Sequence, residues 1–115
     1  MIRERQIVLF RFPQTNQTTG KLRPALVIRK IPGNHDDWLI CMISSQLSLE
    51  VEYFDETISE NDDDFISSGL KQNSLIRIAR LAVVEKNILL GSIGEIREGR
   101  LNRIKHKLSD WLMGR

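Results

Sequence analysis

Arg23 stands directly before Pro24 in the stretch GKLRPALVIRK, where a polar loop gives way to strand-forming residues. A residue that precedes proline is pushed toward extended backbone, so its side-chain direction is limited. Proline has no N–H, so the strand it opens begins at an edge or at a point where pairing has not yet started. The guanidinium is planar, forked and always charged, which suits a phosphate held through two hydrogen bonds. An arginine in this setting reads either as an ordinary surface charge or as a fixed cation aimed into the space that the preceding loop covers.

Other chemistries lack their residues. His35 and His106 lie far apart, and neither has a partner at ligand spacing. NHDD at 34–37 reads as a turn, and ENDDD at 60–64 lacks the glycine and terminal glutamate of a calcium loop. GSIG at 91–94 lacks the lysine of a nucleotide-binding loop. Cys41 lies in an apolar run and reads as core packing rather than as a nucleophile. No metal and no cofactor is expected.

The elements that must hold Arg23 follow from periodicity. Residues 6–12, 24–30 and 38–44 are short apolar runs that read as strands, the first and third largely buried. LSLEVEYF at 47–54 has a period of two and predicts a half-exposed strand. A further strand is expected at 74–84, in which Leu75, Arg77, Ala79 and Leu81 fall on one side if it is unbroken, and a last short strand or turn at 91–96. Beyond Gly99 the period becomes helical. Leu101, Ile104, Leu108, Trp111 and Leu112 form an apolar face, with Arg100, Arg103, Lys107 and Asp110 opposite. Several short strands and one terminal helix predict a small, strongly bent sheet or barrel with the helix packed on it.

The chain has 115 residues, enough for a single domain over 1–115 with a core that needs no staples. One cysteine, no signal-peptide pattern and no long apolar run predict a cytoplasmic protein that does not enter a membrane. A net charge of +2 conceals a separation: residues 50–65 hold eight carboxylates and no Lys or Arg. All seventeen basic residues face only seven acidic ones elsewhere. That is compatible with a polyanion-binding body, provided the acidic arm lies away from the site; the plainer reading is a solvated acidic loop and ordinary surface lysines.

IVLFRFP, the polar loop, GKLRPALVI, CMISSQ and GLKQNSLIRIARLAVVEKNILLGSIGEI occur in the order seen in PemK/MazF-like toxins of bacterial toxin–antitoxin pairs. The chain resembles that family from about residue 4 to its C-terminal end. The resemblance implies a mainly β, SH3-like barrel with a C-terminal helix. It also implies a homodimeric, metal-independent endoribonuclease that cuts single-stranded RNA and is neutralised by a cognate antitoxin. By the same resemblance Arg23 matches the catalytic arginine, and Ser44 takes the position usually held by a catalytic threonine. Gln46 matches a residue beside the RNA channel, and Arg77 an arginine that some members use in cleavage. Two positions depart from the pattern. The Gly-Asp before the first strand is Arg5-Gln6, and an aspartate that some members carry two residues after the second arginine is Ala79. No general base is assigned.

On this reading the loop 14–21 is a lid over the RNA, Phe12 or Phe10 is a stacking surface, and Lys21 and Lys71 contact the RNA backbone. The alternative is a non-catalytic module on the same barrel, like the gyrase inhibitors of the CcdB type, acting by binding a protein or nucleic-acid target.

Overall fold

Aliphatic and β-branched runs separated by polar turns fold here as six strands, in a computed structural model that describes residues 1–11 and 21–115. Phe12 and residues 14–20 of the expected lid lie outside the described residues. The strands are β1 Gln6–Arg11, β2 Leu22–Lys30, β3 Asp37–Ser44, β4 Glu56–Ile58, β5 Ser74–Glu85 and β6 Ser92–Glu95. A four-residue helix, α1 Phe65–Ser68, follows β4, and the terminal helix is α2 Glu98–Leu112. The strands form one antiparallel sheet in the order β4-β5-β3-β2-β1-β6, a half-barrel with a C-terminal helix, as expected. No helix among the described residues is long and apolar enough to cross a membrane.

Neighbouring residues are buried together in the middle strands: Ile7 with Val8, Leu26 with Val27, Ile40 with Cys41. Alternation sends each pair to opposite faces, so the sheet is covered on both sides. One layer joins Ile7, Leu26, Cys41, Ile76 and Ile78 to Leu101, Ile104 and Leu108 of α2. The other contains Val8, Phe10, Val27, Trp38 and Ile40. This double burial is why the first and third runs lack a clean period of two.

Several expectations are corrected. Residues 47–54 are not a strand: Leu47–Leu49 is a short 3-10 turn, and Leu47, Leu49, Val51 and Tyr53 all face solvent. The Asp55 carboxylate accepts the Val51 N–H, and the Asp55 N–H donates to the Val51 carbonyl, which closes 51–55 into a loop. Pairing therefore begins only at Glu56. β2 starts at Leu22, before the expected Pro24, because β1 reaches Arg11 and pairs with Leu22, Arg23 and Pro24. Toward β3, pairing starts at Ala25. β5 is not unbroken. Met42 pairs with Arg77 but Cys41 with Leu81, so Ile78, Ala79 and Arg80 form a bulge that reverses the facing of the residues after it.

Helix α2 begins one residue before Gly99, with Glu98 in its first turn, where the helix dipole favours a negative charge. Its apolar face is shorter than expected: Trp111 and Leu112 are exposed. Arg100, expected on the solvent side, is 3% exposed. Its guanidinium donates to both oxygens of Asp64 (2.8 and 3.1 Å), to Glu56 Oε1 (3.1 Å), to Asp62 Oδ2 (3.1 Å) and to the Thr57 carbonyl (3.1 Å). Arg103 and Lys107 reach Glu56 from the same helix, and Arg97 pairs with Asp63. The acidic segment is thus not a solvated arm. Its repulsion is cancelled by cations spaced along α2, and Asp55, Glu56 and Asp64 are buried.

Burial pushes the Glu56 and Asp64 carboxyls up, but hydrogen bonds outweigh it and both titrate below their usual values. Arg103 and Lys107 supply those bonds for Glu56, and Arg100 and the Arg97 N–H for Asp64. Asp62 is lowered first by the Ser59 N–H and then by Arg100. Burial likewise opposes the charge on Arg100, yet Asp64 holds its pKa above the usual value. Removing one partner of such a network strands buried charge, so Arg100→Ala is expected to lower unfolding stability by about 3–5 kcal/mol, measured by urea denaturation at pH 7. Because the carboxyl pKa values are depressed on folding, their stabilisation is present above the ordinary carboxylate range and lost as pH falls through the folded values. Wild-type stability should therefore drop more between pH 5 and about pH 2 than that of the Arg100→Ala variant.

Candidate functional site

The sheet ends where β2 begins and β3 finishes, and a cavity of about 410 Å³ opens there. Arg23, Ser44, Ser45, Lys71, Gln72 and Ser74 give its polar lining, and Leu9, Leu22, Ile43, Leu70 and Ile93 its apolar lining. Among the described residues that line it, two are cationic and none is a carboxylate. Pairing register explains the meeting of Arg23 and Ser44. Ala25 pairs with Met42, and the same antiparallel register continued two residues brings Arg23 level with Ser44. On its other side Arg23 pairs with Phe10 of β1.

Ser44 ends β3 half-buried. Its Oγ accepts the Gln46 N–H at 3.0 Å, a local bond in which a hydroxyl stabilises the turn after its own strand. The bond fixes the oxygen and leaves the hydroxyl hydrogen for a donor role. It does part of the orienting work that the methyl of a threonine would do.

Arg77 does not line the cavity. It pairs with Met42, while Ser44 pairs with Leu75, so Arg77 and Ser44 are diagonal neighbours on one face. Such positions lie roughly 7–8 Å apart at Cα, within reach of a long side chain. Gln46 is exposed just past β3, and Lys21 is exposed just before β2; neither lines the cavity. Lys71 does. Phe10 is buried in the layer remote from α2, and Phe12 lies outside the described residues.

One wall was not anticipated from sequence. Gly69 caps α1 with φ +75°, and a Cβ there would meet the Ile93 carbonyl oxygen of β6 at 2.0 Å. A Cβ on Gly94 would meet the Ser67 carbonyl oxygen at 2.2 Å. Two glycines therefore let the backbones of α1 and β6 touch, and Ser67 Oγ adds a bond to the Glu95 carbonyl. Asp64 holds the other end of α1, accepting the Arg97 N–H and the Arg100 guanidinium. β4 and β6 are the two edges of the sheet, so α1 bridges them and carries Gly69, Leu70 and Lys71 to the cavity. The signal was present in SGLK and GSIG, but nothing in either stretch named its partner.

Cys41 is buried, and that burial, followed by the nearby Asp55 charge, pushes its thiol far up, away from thiolate chemistry. No group of three His, Cys, Asp or Glu residues able to hold a metal ion occurs among the described residues. Arg23, Ser44 and Lys71 thus border one partly apolar hollow, an arrangement compatible with an anionic ligand.

The sequence model of one family, described as PemK-like, MazF-like toxin of type II toxin–antitoxin systems, matches residues 3–112. No curated protein matches the chain. If the glycine contacts set the cavity wall, Gly94→Ala must push α1 off β6. Overpacking of this kind is expected to cost about 1–3 kcal/mol, read as a lowered Tm, with faster amide exchange at Gly69 and Leu70.

Proposed function

The chain belongs to the PemK-like, MazF-like toxins of type II toxin–antitoxin systems, and from that premise we propose that it is an endoribonuclease that cuts single-stranded RNA without a metal. A type II toxin implies a cognate antitoxin. The observation that supports the nuclease reading best is the shared cavity: Arg23 and Ser44 meet beside Lys71, with no carboxylate in the described lining. Homodimerisation and action in the cytoplasm belong to the same reading and rest on the family alone.

RNA brings its own nucleophile, the 2′-OH next to the scissile phosphate. Attack by that oxygen on phosphorus forms the 2′,3′-cyclic phosphate and expels the 5′ oxygen, which leaves as a 5′-OH after taking up a proton. The negative charge that gathers on the phosphorane oxygens is what the enzyme must meet. Arg23 supplies a fixed fork for it, and Arg77 approaches from the diagonal position. Preorganised charge aimed at such oxygens is often the largest catalytic contribution. Ser44 donates its hydroxyl hydrogen to a phosphate oxygen, its own Oγ held by the Gln46 N–H. Gln46, Lys21, Lys71 and Phe12 are the RNA-contacting residues of this reading. The proton acceptor is unassigned, since Ala79 lies in the β5 bulge and carries no base.

That gap favours a second reading, a toxin that poisons a target by contact. Growth arrest with intact ribosomal and messenger RNA would select it. The nuclease reading expects the purified protein to cut single-stranded RNA in EDTA and to leave the same strand intact when the 2′-OH at the cut is removed. Arg23 is exposed, so Arg23→Ala should fold with an unchanged Tm while kcat/KM falls by about 10²–10³. Ser44→Thr should retain cutting and Ser44→Ala should lose most of it. Undiminished cleavage by Arg23→Ala would remove the chemistry proposed for this site.

A further inference from the structure

The bulge in β5 begins immediately after Arg77, and its first residue is held at two points. The Ile78 side chain is fully buried in the layer against α2. Its N–H donates to Asp55 Oδ1 at 3.0 Å in a buried bond. β4 stops pairing with β5 at Glu56 opposite Ile76, so no strand residue stands beyond that point. The Asp55 carboxylate takes the place of the missing strand.

Asp55 is itself 6% exposed. Its second oxygen accepts the Val51 N–H at 2.9 Å, and its own N–H donates to the Val51 carbonyl at 3.0 Å. Two backbone donors thus converge on one buried carboxylate, which ties the loop after β3 to the turn of chain that follows Arg77. Both oxygens being engaged by N–H groups, Asp55 acts through the backbone and not on a ligand. A three-residue bulge without such an anchor has several ways to place its first peptide, and each aims the preceding side chain differently.

We propose that Asp55 is the positioning residue for Arg77: it clamps the peptide between Arg77 and Ile78 and so fixes the direction in which the guanidinium leaves the sheet toward Ser44. The proposal rests on the nuclease reading in that it gives Arg77 a task in phosphate recognition. It goes beyond that reading in assigning a role to an acidic residue remote from the cavity lining. Alanine at 55 removes both acceptors. Asparagine keeps one acceptor and turns its NH2 toward the other donor, so Asp55→Asn should fall between the alanine variant and wild type.

The test is a double-mutant cycle on RNA cleavage in EDTA, with Tm recorded for every variant. Asp55→Ala is expected to lower kcat by about tenfold with KM changed less than about twofold, the pattern of a lost transition-state contact. In the Arg77→Ala background the same change should have no further effect on kcat. A merely structural defect slows both backgrounds by the same factor, and that additivity overturns the proposal. So does an Arg77→Ala variant that cuts as wild type, which leaves the nuclease reading standing on Arg23. If Asp55→Ala does not fold, Asp55→Asn carries the cycle. If the wild-type protein cuts nothing, the nuclease reading fails on its own, and the cycle is read instead in affinity for a single-stranded 2′-deoxy oligonucleotide. Additive losses there, or no binding by wild type, overturn the positioning role.

Discussion

The guanidinium of Arg100 is the buried centre of the ion network that holds the acidic segment to the terminal helix, and the shape of the molecule around its cavity depends on it. It sits inside the protein with five hydrogen bonds to three carboxylates and one carbonyl. A buried ion pair of this kind gains little net free energy, because desolvation offsets attraction. What it contributes here is uniqueness of arrangement. Asp64, Glu56 and Asp62 come from the start of β4 and the approach to α1, and only one placement of those pieces satisfies all of Arg100's donors. α1 is four residues long, far too short to be stable by itself. Its position is set from outside, by Asp64 at one end and by backbone contact with β6 at the other.

The same network explains how a nearly neutral chain presents a cationic hollow. Four cations of the α2 region, Arg97, Arg100, Arg103 and Lys107, are matched by Glu56, Asp62, Asp63 and Asp64. The carboxylates are therefore spent within the fold. Arg23 and Lys71 remain at the cavity with none in the described lining. Pairing the acid with the helix leaves a cationic hollow without a large net charge, which limits self-repulsion in the folded state.

Much of the architecture was legible because strands and helices write their periods into sequence. The terminal helix was found from Leu101, Ile104 and Leu108, and the sheet from its apolar runs. The errors share a cause, in that each turned on a contact, or the lack of one, that hydrophobic periodicity does not encode. Arg100 looked solvated because its carboxylate partners lie 36 to 44 residues away. Leu47, Leu49 and Val51 alternate as a strand would, but the Asp55 carboxylate diverts the loop, and an aspartate bonding to backbone leaves no periodic trace. Trp111 and Leu112 continue the helical period past the point where the sheet offers anything to cover them. The meeting of Arg23 and Ser44 was expected only by resemblance; the register of β2 against β3 supplies its physical cause.

The bridging of β4 to β6 by α1 has a mechanical consequence. A closed barrel is a ring of ladders, and opening it means breaking many cooperative bonds in succession. This half-barrel is joined by a seam made of two glycine contacts, one serine bond and one aspartate, between residues 64–69 and 93–100. Breathing of the fold is cheapest along that seam, because the ladders of β1, β2 and β3 are untouched when it parts. The hollow can therefore change its width at one wall while Arg23 and Ser44, seated on the opposite and stiffer side, keep their spacing.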